Sequence, residues 1–352
     1  MGVEDQIKEI EEELARTKYN KATEGHIGKQ KAKLARLREQ QQQKSGGSHG
    51  LGYGLKKAGD ATVVLVGFPS VGKSTLLNKL TNADSKVAAY DFTTLEVIPG
   101  IMEMNGAKIQ VLDVPGLIED ASVGKGRGKE VISVIRSADM VLLVADARDA
   151  ERQRKIMEAE LYNSGFRLNQ QRPQVFVNKA NTGGLEVNNA VRLTKVSKEG
   201  IKEILKEFKF MSGEILIRQD VTQDQVIDAL MRNRVYVPAI AVANKVDLGK
   251  APAGFIPISA SEGGNLEALR QAIWKGLGLM RVYLKQAGKE PDMEEPLIMK
   301  QASVRDVCLR LHRIFEKHFK YARVWGPSAK YPGQKVGIDF KLKDCDIVEI
   351  HA

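Results

Sequence analysis

The sequence predicts an α/β protein: a parallel sheet with an inserted small α/β domain, preceded by a helical hairpin and followed by a β-grasp domain. Three observations carry this prediction. Short apolar runs alternate with helical stretches from residue 61 onward, one long interval interrupts that alternation, and a final block places strands around one helix. The apolar runs are mostly β-branched, as expected of strands buried on both faces of a parallel sheet.

Composition indicates a soluble, globular chain without a membrane span. Of its 352 residues, 43% are hydrophobic and 28% are charged. The longest apolar runs, such as 140–145, are far shorter than the ~20 residues that cross a bilayer. The N-terminus lacks an apolar signal core and the chain has only 2 cysteines, which favours a reducing compartment. We therefore expect a cytoplasmic monomer, and the net charge of +10 favours a polyanionic partner such as RNA.

Residues 1–44 have the pattern of a helical hairpin. Ile7, Ile10 and Leu14 share one helical face, and a turn-like stretch at 20–28 separates them from a second helix. The second helix is basic, at Lys29, Lys31, Lys33, Arg36 and Arg38. A solvated face and an RNA contact explain these charges equally well, and the sequence leaves both open.

Two segments, 59–165 and 237–279, are predicted to form one domain, which follows a Gly/Ser-rich flexible linker at 45–58. The strand candidates of this domain are 62–66, 108–113, 140–146, 239–243 and 255–258. About 90 residues separate the third strand from the fourth, whereas one crossover helix needs far fewer. One helix fits at about 150–164. The remainder, 166–236, has its own apolar patterns and is predicted to be an inserted small α/β domain.

Residues 280–352 are predicted to form the β-grasp domain. Two strands, at 282–284 and 297–299, come before a helix that opens with a capping-box-like pair, Ser303 and Asp306. The apolar side of this helix is predicted to hold Val304, Val307, Leu311 and Phe315. Two more strands follow, around 322–325 and 347–350.

A phosphate-binding loop is predicted at 67–74, which match G-x-x-x-x-G-K-[ST] between an apolar strand and a helix. Successive backbone N–H groups in such a loop can surround phosphates, and the helix N-terminus adds a partial positive charge. We expect Lys73 to reach the β- and γ-phosphates of a nucleotide, and the Ser74 hydroxyl to bind Mg²⁺. The binding residues predicted here are Gly67, Pro69, Ser70, Val71, Gly72, Lys73, Ser74 and Thr75.

A second motif, D-x-x-G, follows the second predicted strand. Asp113 stands at the carboxyl end of that strand, where open α/β sheets bind ligands, and is expected to hold Mg²⁺ through water. The Gly116 N–H is expected to face the γ-phosphate. Between the two motifs, Thr93 and Thr94 are both candidates to bind Mg²⁺ and sense the γ-phosphate. Leu117 takes the position at which many GTPases carry a water-orienting glutamine, so we expect slow hydrolysis.

A base-binding motif, N-K-x-D, follows the fourth predicted strand. Asp247 can accept hydrogen bonds from N1–H and the N2 amino group of guanine, a donor pair that adenine lacks. Asn244 is expected to face the other edge of the base, and the stem of Lys245 to cover its plane. A backbone N–H to guanine O6 is expected from Ser259, Ala260 and Ser261. The similar segment 178–181 lacks the final aspartate and is set aside. These motifs, in this order, predict a P-loop NTPase fold that binds GTP or GDP.

The last domain mixes basic and aromatic residues. Between Arg305 and Lys335 it carries eight Lys or Arg side chains, with Tyr321, Trp325 and Tyr331 interleaved. This mixture suits RNA, through phosphate pairing and base stacking. The alternative is a core tryptophan beside a basic, solvated face.

Several of these segments together closely resemble the developmentally regulated GTP-binding proteins, which belong to the Obg-related translation factor GTPases. The segments are 67–77, 89–95, 113–119 and 124–128, and the match extends to 13–23 and 319–326. The resemblance implies a GTPase domain with a ribosomal-protein-like insertion, an N-terminal helix-turn-helix and a C-terminal TGS domain of β-grasp fold. It also implies association with ribosomes or RNA and, in eukaryotic members, a regulatory protein partner.

The resemblance also implies roles for single residues. It favours Thr94 as the switch threonine. The predicted metal ligands are then Ser74, Thr94 and Asp113, and the predicted catalytic residues are Lys73, Thr94 and Gly116. A hydrophobic residue replaces the catalytic glutamine in this class, as Leu117 does here. Members of this kind can be stimulated by K⁺, and the asparagine usually associated with that effect is replaced here by Ser70.

The leading hypothesis is a GTP hydrolase that acts as a ribosome-linked switch. An alternative is a module that senses GTP or GDP with negligible hydrolysis, because both proteins need the same binding motifs. A third hypothesis, an ATPase resembling the TGS-bearing Obg-like ATPases, conflicts with the carboxylate of Asp247.

Overall fold

The computed structural model describes residues 2–44, 59–81, 97–114 and 128–352 of the chain. The chain divides into two units, one of Met1–Leu51 with Leu161–Tyr236 and one of Gly52–Glu160 with Val237–Ala352. Some sequence-based expectations fall outside the described residues and stay predictions: the linker at 45–58, Thr93, Thr94, Gly116 and Leu117.

The helices of the described residues are α1 (Val3–Arg16), α2 (Glu24–Lys44), α3 (Lys73–Leu80), α4 (Gly128–Arg136), α5 (Ala150–Asn163), α6 (Lys198–Glu207), α7 (Gln223–Leu230), α8 (Leu266–Leu277), α9 (Val304–Leu311) and α10 (Arg313–Lys317). The strands there are β1 (Ala61–Gly67), β2 (Ile98–Met104), β3 (Ala107–Asp113), β4 (Met140–Asp146), β5 (Phe166–Leu168), β6 (Val175–Lys179), β7 (Leu185–Asn189), β8 (Gly213–Ile217), β9 (Val235–Val237), β10 (Ala239–Asn244), β11 (Ile256–Pro257), β12 (Leu279–Leu284), β13 (Leu297–Lys300), β14 (Tyr321–Trp325), β15 (Gln334–Val336) and β16 (Asp346–His351). Among these helices, none is long and apolar enough to span a bilayer.

The sheet of the second unit has the strand order β11-β10-β4-β1-β3-β2. Its first five strands in this order pair in parallel. Every residue of β1 and of β4 is buried, which is the pattern of parallel strands covered on both faces. The predicted parallel sheet is therefore confirmed for the strands that carry the motifs.

The sixth strand, β2, was missed in the sequence. It pairs antiparallel with β3 across a two-residue turn formed by Asn105 and Gly106, whose φ angles are 52° and 81°. Asn-Gly is the residue pair favoured in such hairpin turns, because both positions need positive φ. Pro99 and Gly100 argue against a strand in the sequence, because both residue types are unfavourable in strand interiors. The edge position of β2 tolerates them.

The first unit has a mixed sheet, β6-β8-β7, with α6 and α7 packed against it. Its core contains Val187, Ile201, Ile204, Leu205, Ile215, Ile217, Val226 and Ile227. Ala32 of α2 belongs to the same core. The second N-terminal helix, α2, and the inserted residues therefore share one hydrophobic core.

The C-terminal part of the second unit is a five-stranded sheet of order β13-β12-β16-β14-β15. β12 and β16 pair in parallel, and the other pairs are antiparallel. The predicted capping box at the start of α9 is present, with the Ser303 N–H donating to Asp306 Oδ2 at 2.7 Å. This arrangement of strands around α9 agrees with the predicted β-grasp fold.

The predicted apolar side of α9 is wrong in its second half. Val304 and Val307 are buried, but Leu311 and Phe315 are each 37% exposed. The helix ends at Leu311, because His312 has an extended backbone (φ −171°) and its Nδ1 accepts the N–H of Ile314 to start α10. The break interrupts the helical period on which the expectation rested.

Candidate nucleotide-binding site

The described motif residues stand at the carboxyl ends of neighbouring strands. The segment 67–74 follows β1, Asp113 ends β3 and Asn244 ends β10. These strands lie in the order β10-β4-β1-β3, so their carboxyl ends form one edge of one sheet. Ligands of open α/β sheets bind at such an edge.

Two glycines shape the phosphate loop. Gly72 has a φ of 90°, a conformation that favours glycine, and a Cβ there would clash with the side-chain amide of Asn244. A Cβ on Gly67 would clash with the carbonyl of Val144 on the neighbouring strand β4. α3 begins directly after Gly72, so the loop ends at a helix N-terminus, the arrangement expected for an anion site.

Lys73 places its ammonium inside this loop. The Nζ atom donates to the carbonyls of Gly67, at 3.1 Å, and of Phe68, at 2.9 Å. The charge is therefore held beside the backbone that is predicted to surround the phosphates.

Ser74 and Asp113 lie in direct contact. The Ser74 hydroxyl donates to Asp113 Oδ2 at 2.5 Å. The other carboxylate oxygen, Oδ1, is buried and has no hydrogen-bond partner among the described residues. A hydroxyl beside a carboxylate with an unused buried oxygen is a donor set that suits Mg²⁺, which prefers oxygen ligands.

The side chain of Asn244 joins the phosphate loop to the segment after β11. It is only 2% exposed, and its Nδ2 donates to the Val71 carbonyl at 2.8 Å. Its Oδ1 accepts the Ala260 N–H at 2.9 Å. Both ends of the amide bond to protein backbone, so the residue ties two loops together. The contact of Asn244 with an edge of the base stays a prediction, because the Nδ2 atom has a second hydrogen to donate.

The same contacts give the segment 259–261 a structural role, and its predicted backbone N–H to guanine O6 stays a prediction. The Ala260 N–H donates to Asn244, and the Ser259 N–H pairs with the Gly264 carbonyl at 3.3 Å. The Ser259 hydroxyl donates to Asp247 Oδ1 at 2.8 Å. This segment therefore positions Asp247 and Asn244, a role that the motif alone did not indicate.

Lys245 makes a second connection to the phosphate loop. Its Nζ donates to the Ser70 carbonyl at 2.6 Å and to Asp146 Oδ2 at 3.1 Å. Lys245 and Ser70 both have positive φ, 64° and 57°. The contact thus stabilises two residues in a backbone conformation that costs free energy outside glycine.

Asp146 is a site residue that sequence reasoning missed. It ends β4, is 6% exposed and accepts hydrogen bonds from the backbone N–H and guanidinium of Arg148 as well as from Lys245. The hydrogen bonds from Arg148 are the largest cause that holds the pKa of Asp146 well below its usual range. The position of Asp146 could have identified it as a site residue. It is an acid at the carboxyl end of the central strand, between the ends of β1 and β10.

Known proteins match this chain along its whole length. The family model described as "50S ribosome-binding GTPase" matches residues 62–179, "C-terminal region of MMR_HSR1 domain" matches 182–279, and "TGS domain" matches 280–352. A GTP-binding protein of Methanocaldococcus jannaschii is 50% identical over 99% of this chain and 93% of its own length. Developmentally-regulated GTP-binding protein 2 of Homo sapiens is 44% identical over 99% of both chains.

Solved structures give more distant matches. Era from Aquifex aeolicus, bound to GDP and AlF4⁻, shares 21% identity over 75% of this chain and 71% of its own, with a TM-score of 0.33. The FeoB G-domain from Methanococcus jannaschii shares 22% identity over 62% of this chain and 97% of its own, with a TM-score of 0.29. On the full-length relatives and the matched domains, this chain belongs to the family of developmentally regulated GTP-binding proteins, P-loop GTPases that carry a C-terminal TGS domain.

Proposed function

We propose that this protein hydrolyses GTP slowly with Mg²⁺ and acts as a switch on ribosomes or RNA. The observation that carries the GTPase part is the set of bonds from Asn244 and Lys245 to the loop at 67–74. These bonds hold the base motif against the phosphate motif, at the same sheet edge where Ser74 meets Asp113. Such an arrangement suits one nucleotide that engages all of them.

The residues present fit Mg²⁺. Ser74 and Asp113 would hold the ion, directly or through water, and Thr94 is proposed as a further ligand. When bound, the metal would neutralise charge on the β- and γ-phosphates. Lys73 would add a second positive charge from inside the loop, and Gly116 would supply an N–H to the γ-phosphate.

Guanine selection is proposed to rest on Asp247. Replacement by asparagine exchanges an acceptor for a donor, so Asp247→Asn should move the preference from GTP to XTP, whose base carries an acceptor where guanine has its amino group. The measurement is GTP and XTP hydrolysis and affinity for both proteins. The matched control is Asp149→Asn, a partly exposed acid of the same domain that pairs with Arg152. A variant that kept the guanine preference would refute this assignment.

Slow hydrolysis is proposed because Leu117 cannot orient a water molecule. A binding module with negligible hydrolysis has the same binding residues, so only rates separate the two. Single-turnover hydrolysis with and without K⁺ and ribosomes is the test. A rate indistinguishable from that of GTP in buffer under every condition favours the binding module, and an equal rate in Na⁺ and K⁺ removes potassium as a cofactor.

The proposed RNA or ribosome contact rests on charge in the TGS domain. Its exposed basic residues include Arg310, Arg313, Lys317, Lys320, Arg323 and Lys330. Two of the three aromatic rings are less available for base stacking, because Tyr321 and Trp325 are partly buried and a lysine covers each. Lys335 lies 4.1 Å from the ring centroid of Tyr321, and Lys285 lies 4.7 Å from that of Trp325. Tyr331 is 60% exposed. Phosphate pairing is therefore favoured as the main contribution to RNA binding by this domain.

The basic helix α2 is a weaker candidate for this contact. Lys31, Arg36 and Arg38 form ion pairs with Asp224, Glu207 and Glu11. Within one unit these charges already have acidic partners, which favours the structural explanation of this helix.

Ribosome co-sedimentation across a salt series tests the TGS contact. Arg313→Gln with Lys320→Gln should reduce binding and flatten its salt dependence, because fewer phosphate contacts release fewer counterions. Lys29→Gln with Lys33→Gln removes the same charge from α2 and is the matched control. Binding that is insensitive to salt and to both double variants contradicts the proposal. A regulatory protein partner, which the resemblance implies for eukaryotic members, is proposed for this chain on family membership alone.

A further inference from the structure

A cavity separate from the candidate nucleotide-binding site lies in the unit formed by the N-terminal helices and the inserted residues. Its volume is about 410 Å³, which is within the ~300–1,000 Å³ typical of small-molecule sites. Its walls include Arg172, Phe176, Asp228, Arg232, Arg234 and Tyr236. None of the nucleotide-binding motifs contributes to it, so GTP binding does not explain this cavity.

An ion cluster at the wall of this cavity carries excess positive charge. Asp228 and Arg234 line the cavity, and Arg167 lies behind them on the same carboxylate. Asp228 accepts hydrogen bonds from two guanidiniums, Arg167 Nη2 at 2.6 Å and Arg234 Nε at 2.7 Å. The side chains of Asp228 and Arg167 are 5% and 3% exposed. One carboxylate shared by two buried guanidiniums leaves a net charge of about +1, which solvent screens poorly at this depth.

The rim adds to that charge. Arg172 and Arg232 are exposed residues that line the same cavity. With Arg234 they give three guanidiniums against the single carboxylate of Asp228. Guanidiniums present planar sets of donors that match phosphate oxygens, so the charge favours a phosphorylated ligand.

The hydroxyl of Tyr236 also favours a phosphorylated ligand. Its Oη atom is buried and has no hydrogen-bond partner among the residues that the structure describes. A buried hydroxyl without a partner costs free energy, which an acceptor on a ligand would recover. Burial is the largest cause that raises the pKa of Tyr236, so the hydroxyl keeps its proton and can donate it in a hydrogen bond.

An aromatic side chain completes the cavity. Phe176, on β6, is 51% exposed, and the guanidinium of Arg218 lies 5.3 Å from its ring centroid. An exposed aromatic ring beside arginines is a surface on which nucleobases stack.

We propose that this cavity binds a nucleotide: the phosphate contacts Arg172 and Arg232, the Tyr236 hydroxyl donates to a phosphate or sugar oxygen, and the base stacks on Phe176. A free nucleoside monophosphate and a nucleotide within single-stranded RNA present the same chemistry. The inference concerns a different cavity from the GTP site and does not depend on GTP hydrolysis or on ribosome binding.

The test is direct titration of the full-length chain with 5′-UMP, inorganic phosphate and a labelled oligouridylate. Uracil nucleotides are chosen because the GTP site selects guanine. Tyr236→Phe removes only the unpartnered oxygen. It should weaken binding about tenfold, the value of one hydrogen bond to a charged group, while leaving the melting temperature equal or higher. A merely structural tyrosine would not give that combination.

Charge variants provide the second arm. Arg232→Gln should weaken binding about tenfold, whereas Arg192→Gln, which removes the same charge elsewhere on the unit, should stay within about twofold. GTP affinity, measured on the same samples, reports on the other site and should not change.

The outcomes separate the sources of the ligand. Binding of both UMP and oligouridylate that is reduced in Tyr236→Phe and Arg232→Gln supports a site for the nucleotide itself. Binding of oligouridylate alone, with the same sensitivity, supports a nucleotide of an RNA strand. The proposal is overturned if wild type binds none of the probes at millimolar concentration, if inorganic phosphate binds as well as UMP, or if both Arg variants weaken binding equally.

Discussion

Replacing Asn244 by alanine tests whether this residue ties two loops together. Its buried amide donates to the Val71 carbonyl at 2.8 Å and accepts the Ala260 N–H at 2.9 Å. Alanine removes both hydrogen bonds and leaves a carbonyl and an N–H without their partners. Each loss costs about 1–2 kcal/mol, so we expect the free energy of unfolding of the nucleotide-free protein to fall by about 2–4 kcal/mol.

Urea unfolding without nucleotide measures the first effect, and GTP titration measures the second. A loosened phosphate loop is less well organised for its ligand, so GTP affinity should fall about tenfold or more. Asn178→Ala is the matched control. Asn178 opens the similar segment 178–181 on β6 and is exposed, so its replacement should change stability by at most about 0.5 kcal/mol.

One result refutes this reasoning. If Asn244→Ala weakens GTP binding while the urea midpoint without nucleotide stays unchanged, the side chain acts on the base and not on the two loops. That result would favour the predicted contact of Asn244 with the base as its main role. Loss of both stability and GTP affinity supports the role of Asn244 in connecting the two loops.

Three further changes have defined outcomes. Gly72→Ala should lower the melting temperature and GTP affinity together, because Gly72 has a φ of 90° and a Cβ there clashes with the Asn244 amide. Hydrogen bonds from Arg148 lower the pKa of Asp146, so its contribution to stability is complete above about pH 4 and is lost as pH falls further. Asp146→Asn should therefore reduce stability at pH 7 and flatten its decline in acid, measured by urea unfolding at each pH. Asp228→Asn should cost about 3–5 kcal/mol in the same assay, because two buried guanidiniums lose their shared carboxylate.

The strands that the sequence predicts best are those whose every residue is buried. β1 and β4 are continuous apolar runs bounded by motif residues. Because a strand buried on both faces is apolar throughout, it can be recognised from its own residues without knowledge of the strands beside it. β2 and β15 lack this signal. β2 contains Pro99 and Gly100, and β15 is only 3 residues long with Gln334 at its start, so their pairing depends on partner strands that a local pattern does not reveal.

The candidate site divides in the same way. The loop at 67–74 and Asp113 could be assigned from short motifs, because the chemistry of phosphate and metal binding fixes residue types at fixed spacing. The partners of Asn244 could not. Val71 is 173 residues away from Asn244 along the chain and Ala260 is 16 residues away, and nothing in the local sequence states that the amide bonds to backbone. The role of Asp146 could not be predicted for the same reason, because it depends on the position of β4 between β1 and β10 in the folded sheet.

The bonds that hold this site together limit how it can act as a switch. Asn244 to Val71, Lys245 to Ser70 and Ser74 to Asp113 connect protein groups to one another. Bonds of this kind organise the site equally for GDP and for GTP, and a term that is equal for two ligands cannot shift an equilibrium between two states. Discrimination must come from groups that contact the γ-phosphate itself. Thr94 and Gly116 are proposed to make such contacts, together with Lys73, which is expected to reach the β- and γ-phosphates.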